Sequence, residues 1–238
     1  MCGRIVLSSA PHVLAETFYL DVVPDLAPSW NIAPGQDLAV VLPPSGAPGA
    51  SPGNVLRRQR WGLQPPWDRG DGGTPQLINA RAETVLAKPA FREAFRQRRC
   101  LVPVDGFYEW QKRDGGSQPF HFRARDGRLL ALAGVWEPRE QPGGRALETC
   151  AIVTAAANAT MRPVHHRMPV ILAPETWRTW LGAPPAEAEG LLELLQPAPG
   201  DLLLGHPVTR RVGNVAFDGP ECVEPVEDER RGQLNLFG

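Results

Sequence analysis

The chain has 238 residues, 42% hydrophobic and 21% charged, with a formal net charge of −1. That is enough apolar material for one large domain or two small ones, so a wholly disordered chain is excluded; a membrane-spanning one is too, because no apolar run reaches about 18 residues. Charge is unevenly placed: residues 51–100 carry ten basic and four acidic groups, net +6, while residues 218–238 carry six acids and two arginines, net −4. Arginine supplies 23 of the 25 positive charges. A GC-rich genome writes arginine for lysine, and phosphate recognition also favours the forked guanidinium, so composition leaves both readings open. Four cysteines (Cys2, Cys100, Cys150, Cys222) are too few and too dispersed for a disulfide scaffold. The start, MCGRIVLSSAP, places a charge at Arg4 and only a short apolar run, unlike a signal peptide, so a cytoplasmic protein is expected.

In chain order, residues 11–19 read as a short helix after Pro11. Residues 42–53 and 62–76, rich in Pro and Gly, read as loops. KPAFREAFRQR (88–98) is a second amphipathic helix. Asp114-Gly115-Gly116 marks a turn, then Phe120, Phe122 and Ala124 alternate with His121, Arg123 and Arg125. Asp126-Gly127 and the apolar run Leu129–Val135 follow, which predicts a hairpin and with it a three-stranded meander. Residues 148–154 read as a buried strand, 174–181 and 185–195 as short helices, and 206–212 more weakly as a strand. The pattern predicts an α+β fold: a single domain over 1–226 with an antiparallel, barrel-like sheet flanked by short helices, and a charged tail over 227–238.

Four segments can carry chemistry. Removal of Met1 before the small Cys2 leaves a free α-amine beside a thiol. The amine, pKa about 7.7–8.0, condenses with an aldehyde, and the thiol then closes a five-membered thiazolidine intramolecularly. Arg4 can help to lower the thiol pKa; alternatively Cys2 simply packs in a first strand. Asn79-Ala80-Arg81-Ala82-Glu83-Thr84 mixes amide, guanidinium and carboxylate. Its members either cap a helix, with Arg81 paired to Glu83, or fix a substrate and its phosphate. In CLVPVDGFYEW (100–110), Glu109 lies between aromatics, where a raised pKa suits general acid–base work, or else it faces solvent. Cys100 reads as core. Pro163 and Pro169 keep Val164–Val170 from being helical and place His165, His166 and Arg167 together. No CxxC or HxxxH spacing supports zinc there, so no metal or other cofactor is expected, and a proton-transfer histidine beside a phosphate-binding arginine fits better.

Taken together, MCGR, Trp30-Asn31-Ile32-Ala33-Pro34, Arg60-Trp61-Gly62-Leu63, NARAET, CLVPVDGFYEW, HHRMPVIL and VGNV resemble, in order, the SOS response-associated peptidase (SRAP) family. The resemblance implies an abasic-site sensor whose Cys2 forms a thiazolidine crosslink with the ring-opened abasic aldehyde in single-stranded DNA, shielding the lesion. It implies that Cys2 crosslinks, Asn79 holds the Cys2 amine and the sugar in register, Glu109 transfers protons, and His165 assists ring opening. It also implies that Arg4, Asn31, Arg81 and Arg167 face DNA, with Trp67 a candidate stacking platform. Two rivals stand beside this reading: a cysteine peptidase limited to removing its own Met1, with lyase-like activity a further possibility, and a non-covalent single-stranded DNA-binding module. A monomer is the default.

The tail ends Gln233-Leu234-Asn235-Leu236-Phe237, similar to the Q-L-x-L-F peptide with which bacterial proteins dock on the replicative sliding clamp. Leucine and phenylalanine anchors enter an apolar pocket and the Gln amide sets register. The alternative is an end whose apolar residues fold back on the domain.

Overall fold

A computed structural model describes residues 2–44, 53–68, 76–140 and 146–227. Its strands in chain order are β1 (Ile5–Leu7), β2 (Ser29–Ile32), β3 (Asp37–Leu42), β4 (Val55–Trp61), β5 (Asn79–Arg81) and β6 (Arg99–Val104). β7 (Gly106–Arg113), β8 (Gly116–Ala124), β9 (Leu130–Glu140), β10 (Ala146–Ala156), β11 (Arg167–Pro169) and β12 (Leu203–Pro207) follow. The α-helices are α1 (Pro11–Phe18), α2 (Pro89–Gln97) and α3 (Trp177–Gly182). Pro11 and Pro89 open the two longer helices, where a missing N–H costs nothing and the fixed φ is already helical.

β3, β4, β6, β9 and β10 close on one another as a barrel, antiparallel except where β10 runs parallel to β4 through Thr149↔Arg60. A second, five-stranded sheet has the order β12-β8-β7-β1-β2. The fold is thus the expected α+β domain with a barrel-like sheet and short helices. Period-two geometry sorts β6 between two cores. Cys100, Val102 and Val104 join Phe107 and Phe122, while Leu101 joins Phe95 and Trp180 of the helices. α3 is held by Phe18 stacked on Trp177 at 4.8 Å and by Phe95 edge-on to Trp180 at 5.7 Å, each pair contributing about 0.5–1.5 kcal/mol beyond its buried area. Arg99 is buried between these helices and donates to the carbonyls of Phe95, Arg96, Trp180 and Ala183, which helix ends leave unsatisfied.

At the corner between β6 and β7, Asp105 accepts from the backbone N–H groups of Ser8 (2.6 Å) and Ser9 (2.9 Å) and ties β1 to the barrel. Gly106 is required beside it, because a Cβ there would lie 2.2 Å from His121 Nε2 and 2.6 Å from the Phe122 carbonyl. The Asp-Gly of CLVPVDGFYEW therefore sets the path by which Glu109 reaches the site.

Several expectations are corrected. β7 and β8 form the hairpin expected at Asp114-Gly115-Gly116, but Asp126-Gly127 does not join a second one. The turn forms, with Gly127 at φ +79° and its N–H on the Ala124 carbonyl, yet β9 departs to lie between β6 and β10 while β12 takes the edge of β8. Leu130–Val135 is apolar on both faces and so needs cover on both. His121, which alternates with Phe120 and Phe122 in the sequence, is buried between Tyr108 and His206 because the C-terminal segment covers that side of the sheet. Residues 185–195 form 3-10 turns, Pro185–Glu187 and Gly190–Leu194, rather than one helix, since Pro184, Pro185 and Gly190 interrupt it. The strand expected over 206–212 is Leu203–Pro207, and Arg210–Gly213 turns. Of the two predicted loops, 45–52 and 69–75 lie outside the described residues, and Leu63 bridges Leu77 at the base of the second. The tail peptide Gln233, Leu234, Leu236 and Phe237 also lies outside them. Among the described residues no helix is long and apolar enough to cross a membrane.

Candidate active site

Cys2 lies just ahead of β1 and is fully buried in the second core, which also holds Ile5, Leu38 and Met168. β1 pairs with β7 through Ile5↔Phe107 and Val6↔Gly106, and the Tyr108 N–H donates to the Arg4 carbonyl at 3.0 Å. Continuing that register places Glu109 beside Gly3, next to Cys2. β5 runs parallel to β10, with Asn79 opposite Ile152, and from its first residue Asn79 Nδ2 donates to the Cys2 carbonyl at 2.8 Å. Asn79 Oδ1 is buried without a hydrogen-bond partner among the described residues. The segment preceding β11 brings His165, whose Nδ1 lies 3.9 Å from Glu109 Oε1. Cys2, Asn79, Glu109 and His165, drawn from four separate parts of the chain, meet in one place.

Burial sets the charges here. Glu109, 2% exposed, has its carboxyl raised above the usual carboxylate range, chiefly because burial penalises the ion. The Cys2 thiol is pushed far up by burial first and by the nearby Glu109 charge second. Arg4 does not supply the compensation expected of its guanidinium. Its backbone N–H lowers the thiol pKa, while the guanidinium points to Asn31 Oδ1 and the Val212 carbonyl, both at 2.6 Å. His165 is shifted down, mainly by burial, and its neutral ring is the resting form at pH 7. A thiol, a carboxyl with raised proton affinity and a neutral imidazole form a set able to pass protons among themselves.

The remaining predicted residues are placed differently from one another. Asn31 is 1% exposed, and its amide donates to the carbonyls of Val212, Asn214 and Phe217, so it clasps the 212–217 segment beneath the surface. Arg167 is 8% exposed and forks onto Glu83 at 2.8 and 3.0 Å. Glu83 therefore pairs with Arg167, not with Arg81, which faces solvent at the end of β5. Trp67 is 57% exposed, beside the segment that lies outside the described residues. His166, which the sequence places beside His165 without a role, stacks its ring on His165 at 4.4 Å, and sequence reasoning missed Thr154, whose carbonyl and hydroxyl both receive Arg167 Nη2. No local pattern marks Thr154, since its partner lies across the β10–β11 ladder.

The chain matches the family model for SOS response associated peptidase (SRAP) over residues 1–215. It is 36% identical over 228 residues to the abasic site processing protein YoqW of Bacillus subtilis, covering 94% of this chain and 99% of that one. With the abasic site processing protein YedK of Escherichia coli it shares 31% over 233 residues, 95% of this chain and 100% of the other. HMCES of Gallus gallus, also named an abasic site processing protein, is 36% identical over 200 residues, 73% of this chain and 58% of that longer one. Among solved structures, a Bacteroides thetaiotaomicron protein superposes with a TM-score of 0.80 at 22% identity, covering 95% of this chain and 100% of its own, a likeness of fold. A phage-related protein of Bordetella bronchiseptica gives 0.69 at 29% identity, covering 88% of this chain and 95% of that one.

Proposed function

The chain belongs to the SOS response associated peptidase family, and we propose that it captures abasic sites in single-stranded DNA as a covalent thiazolidine through Cys2. The observation that supports this reading most directly is the meeting of Cys2 with a protonatable carboxyl, an anchoring amide and a neutral histidine. An abasic sugar rests mostly as a closed hemiacetal. His165 takes the proton of the anomeric hydroxyl while the protonated Glu109 carboxyl gives one to the ring oxygen, which frees the aldehyde, and the imidazolium returns the proton to Glu109. Once Met1 is gone, the Cys2 amine adds to the aldehyde carbon, and Glu109 protonates the resulting hydroxyl, which leaves as water while the nitrogen gives its proton back to Glu109. The thiol sulfur then attacks the imine carbon, and its proton ends on the nitrogen, closing the ring. Because the thiol pKa is raised, sulfur attacks with loss of its proton rather than as a preformed thiolate. Asn79 holds the Cys2 backbone during these steps, and its unused Oδ1 is an acceptor for the amine or for a sugar hydroxyl.

Incubation of the purified protein with abasic single-stranded DNA should give a heat-stable crosslinked band that Cys2→Ala does not form. Equal crosslinking by Cys2→Ala refutes the reading, and equal, strongly salt-dependent affinity for intact and abasic strands without a crosslink favours a plain binding module. The family's peptidase description suits the same groups acting once on the Met1–Cys2 bond; retention of Met1 in Glu109→Ala but not in the parent, read by intact mass, supports that step. We also assign the Gln233–Phe237 peptide to the replicative sliding clamp, a tether that raises local concentration where single strands appear.

A further inference from the structure

The ion pair between Glu83 and Arg167 sits one residue from the ring of His166 and two from that of His165, and its geometry has a consequence for catalysis. Arg167 Nη1 and Nη2 lie 2.8 and 3.0 Å from the two Glu83 carboxylate oxygens. Nη2 also reaches the Thr154 carbonyl at 2.5 Å and the Thr154 hydroxyl at 3.2 Å. The main chain of the same arginine meets His165 Nδ1 twice, its N–H at 3.0 Å and its carbonyl at 3.2 Å. We propose that Glu83, acting through Arg167, is a positioning residue for His165. The inference rests on the reading of His165 as a proton carrier.

One ring nitrogen with a donor and an acceptor on a single residue can keep a hydrogen bond in both protonation states. With Nδ1–H donating to the Arg167 carbonyl, the neutral ring keeps the Nε2 lone pair free to take a proton from substrate, and the imidazolium keeps the same bond; the other neutral tautomer, protonated on Nε2, accepts at Nδ1 from the Arg167 N–H. This works only if the Arg167 backbone stays put. β11 pairs it with Ala156, the Ala157 N–H holds the His166 carbonyl at 3.0 Å, and the Glu83 fork pins the side chain. Arg81 presents its charge to solvent two residues from Asn79.

Glu109 and Lys112 on β7, His166 and Arg167 on its own segment, and the amino-terminal charge all act on His165. These remain in a Glu83 variant, so a change in His165 titration reports the lost fork. Removing Glu83 leaves the Arg167 charge uncompensated, which moves the His165 titration lower.

The test uses the full chain with Glu83→Ala and Glu83→Gln, and follows His165 imidazole nitrogen shifts against pH without DNA. Alongside it run single-turnover crosslinking with abasic single strands and affinity for intact strands against salt. Glu83→Ala should lower the His165 titration and slow crosslinking about tenfold, with affinity for intact DNA within about twofold. Glu83→Gln, which keeps a hydrogen-bonding oxygen, should recover most of the rate and show that the loss is not one of folding. Arg81→Ala should instead weaken binding and reduce the salt slope by about one. An unshifted His165 titration in Glu83→Ala, or a loss confined to weaker binding with a shallower salt slope, overturns the inference. If the parent fails to crosslink abasic DNA, the proposed function falls, while the DNA-free titrations still decide the positioning role: both variants lose the same charge, so an equal shift in Glu83→Ala and Glu83→Gln is electrostatic only and overturns it.

Discussion

Replacing Asn79 separates what the site needs for stability from what it needs for chemistry. Its Nδ2 bond to the Cys2 carbonyl, 2.8 Å long, contributes about 1 kcal/mol net, while burying Oδ1 without a partner costs about 1–3 kcal/mol. Asn79→Ala removes both, so the folded protein should lie within about 1 kcal/mol of the parent, or slightly above it. Crosslinking should nevertheless fall by roughly 10–100-fold, since the reacting residue loses the contact that registers it against the β5 strand. Asn79→Asp keeps the shape but cannot donate, and it sets a second carboxylate beside Glu109 in a buried place. It should be about 3 kcal/mol less stable at pH 7.5, roughly 6–12 °C in Tm, and the deficit should shrink in acid as the introduced carboxyl takes up a proton. Urea unfolding at pH 7.5 and pH 5, with crosslinking rates at saturating abasic DNA, measures both. Destabilisation beyond about 2 kcal/mol in Asn79→Ala, or a parental crosslinking rate in that variant, refutes the reasoning.

The raised Glu109 carboxyl makes the folded state bind its proton more readily than the unfolded chain, so its burden on stability grows as pH rises from the unfolded carboxylate value through the folded one. Glu109→Gln should therefore be more stable than the parent at pH 7.5 in urea unfolding, with the difference gone near pH 4; an equal gain at both pH values contradicts this. The same variant should slow both crosslink formation and release of a preformed crosslink to competing abasic DNA, because one carboxyl serves both directions. Arg99→Met leaves four helix-end carbonyls without their donor and should cost about 3–4 kcal/mol, roughly 10 °C in Tm, by thermal melting; a change under about 1 kcal/mol would show that water replaces the guanidinium. Deleting residues 233–238 should abolish binding to the sliding clamp in a titration while leaving crosslinking intact, and no binding by the full chain removes that partner.

Local chemistry in the sequence determined a good part of this protein. Pro11 and Pro89 start helices, Asp114-Gly115-Gly116 turns a hairpin, and the alternation of Phe122 and Ala124 marks a strand, because each depends on the backbone preferences of a few adjacent residues. The motifs that resemble the family also named Cys2, Asn79, Glu109 and His165 as a set, although nothing in their spacing says that they touch. Tertiary structure alone decided the rest. A turn at Asp126-Gly127 is compatible with either strand neighbour, and β9 went where both of its apolar faces could be covered. His121 is buried because the C-terminal segment lies over it. Glu83 had Arg81 two residues away, yet it found Arg167: Arg81 ends β5 and faces solvent, while Glu83 lies in the 3-10 turn Ala82–Thr84 that packs beside β10, whose neighbour β11 carries Arg167. The raised carboxyl of Glu109 belongs to this second class as well: an aromatic on either side suggested it, but burial, which only the whole fold supplies, raises its proton affinity.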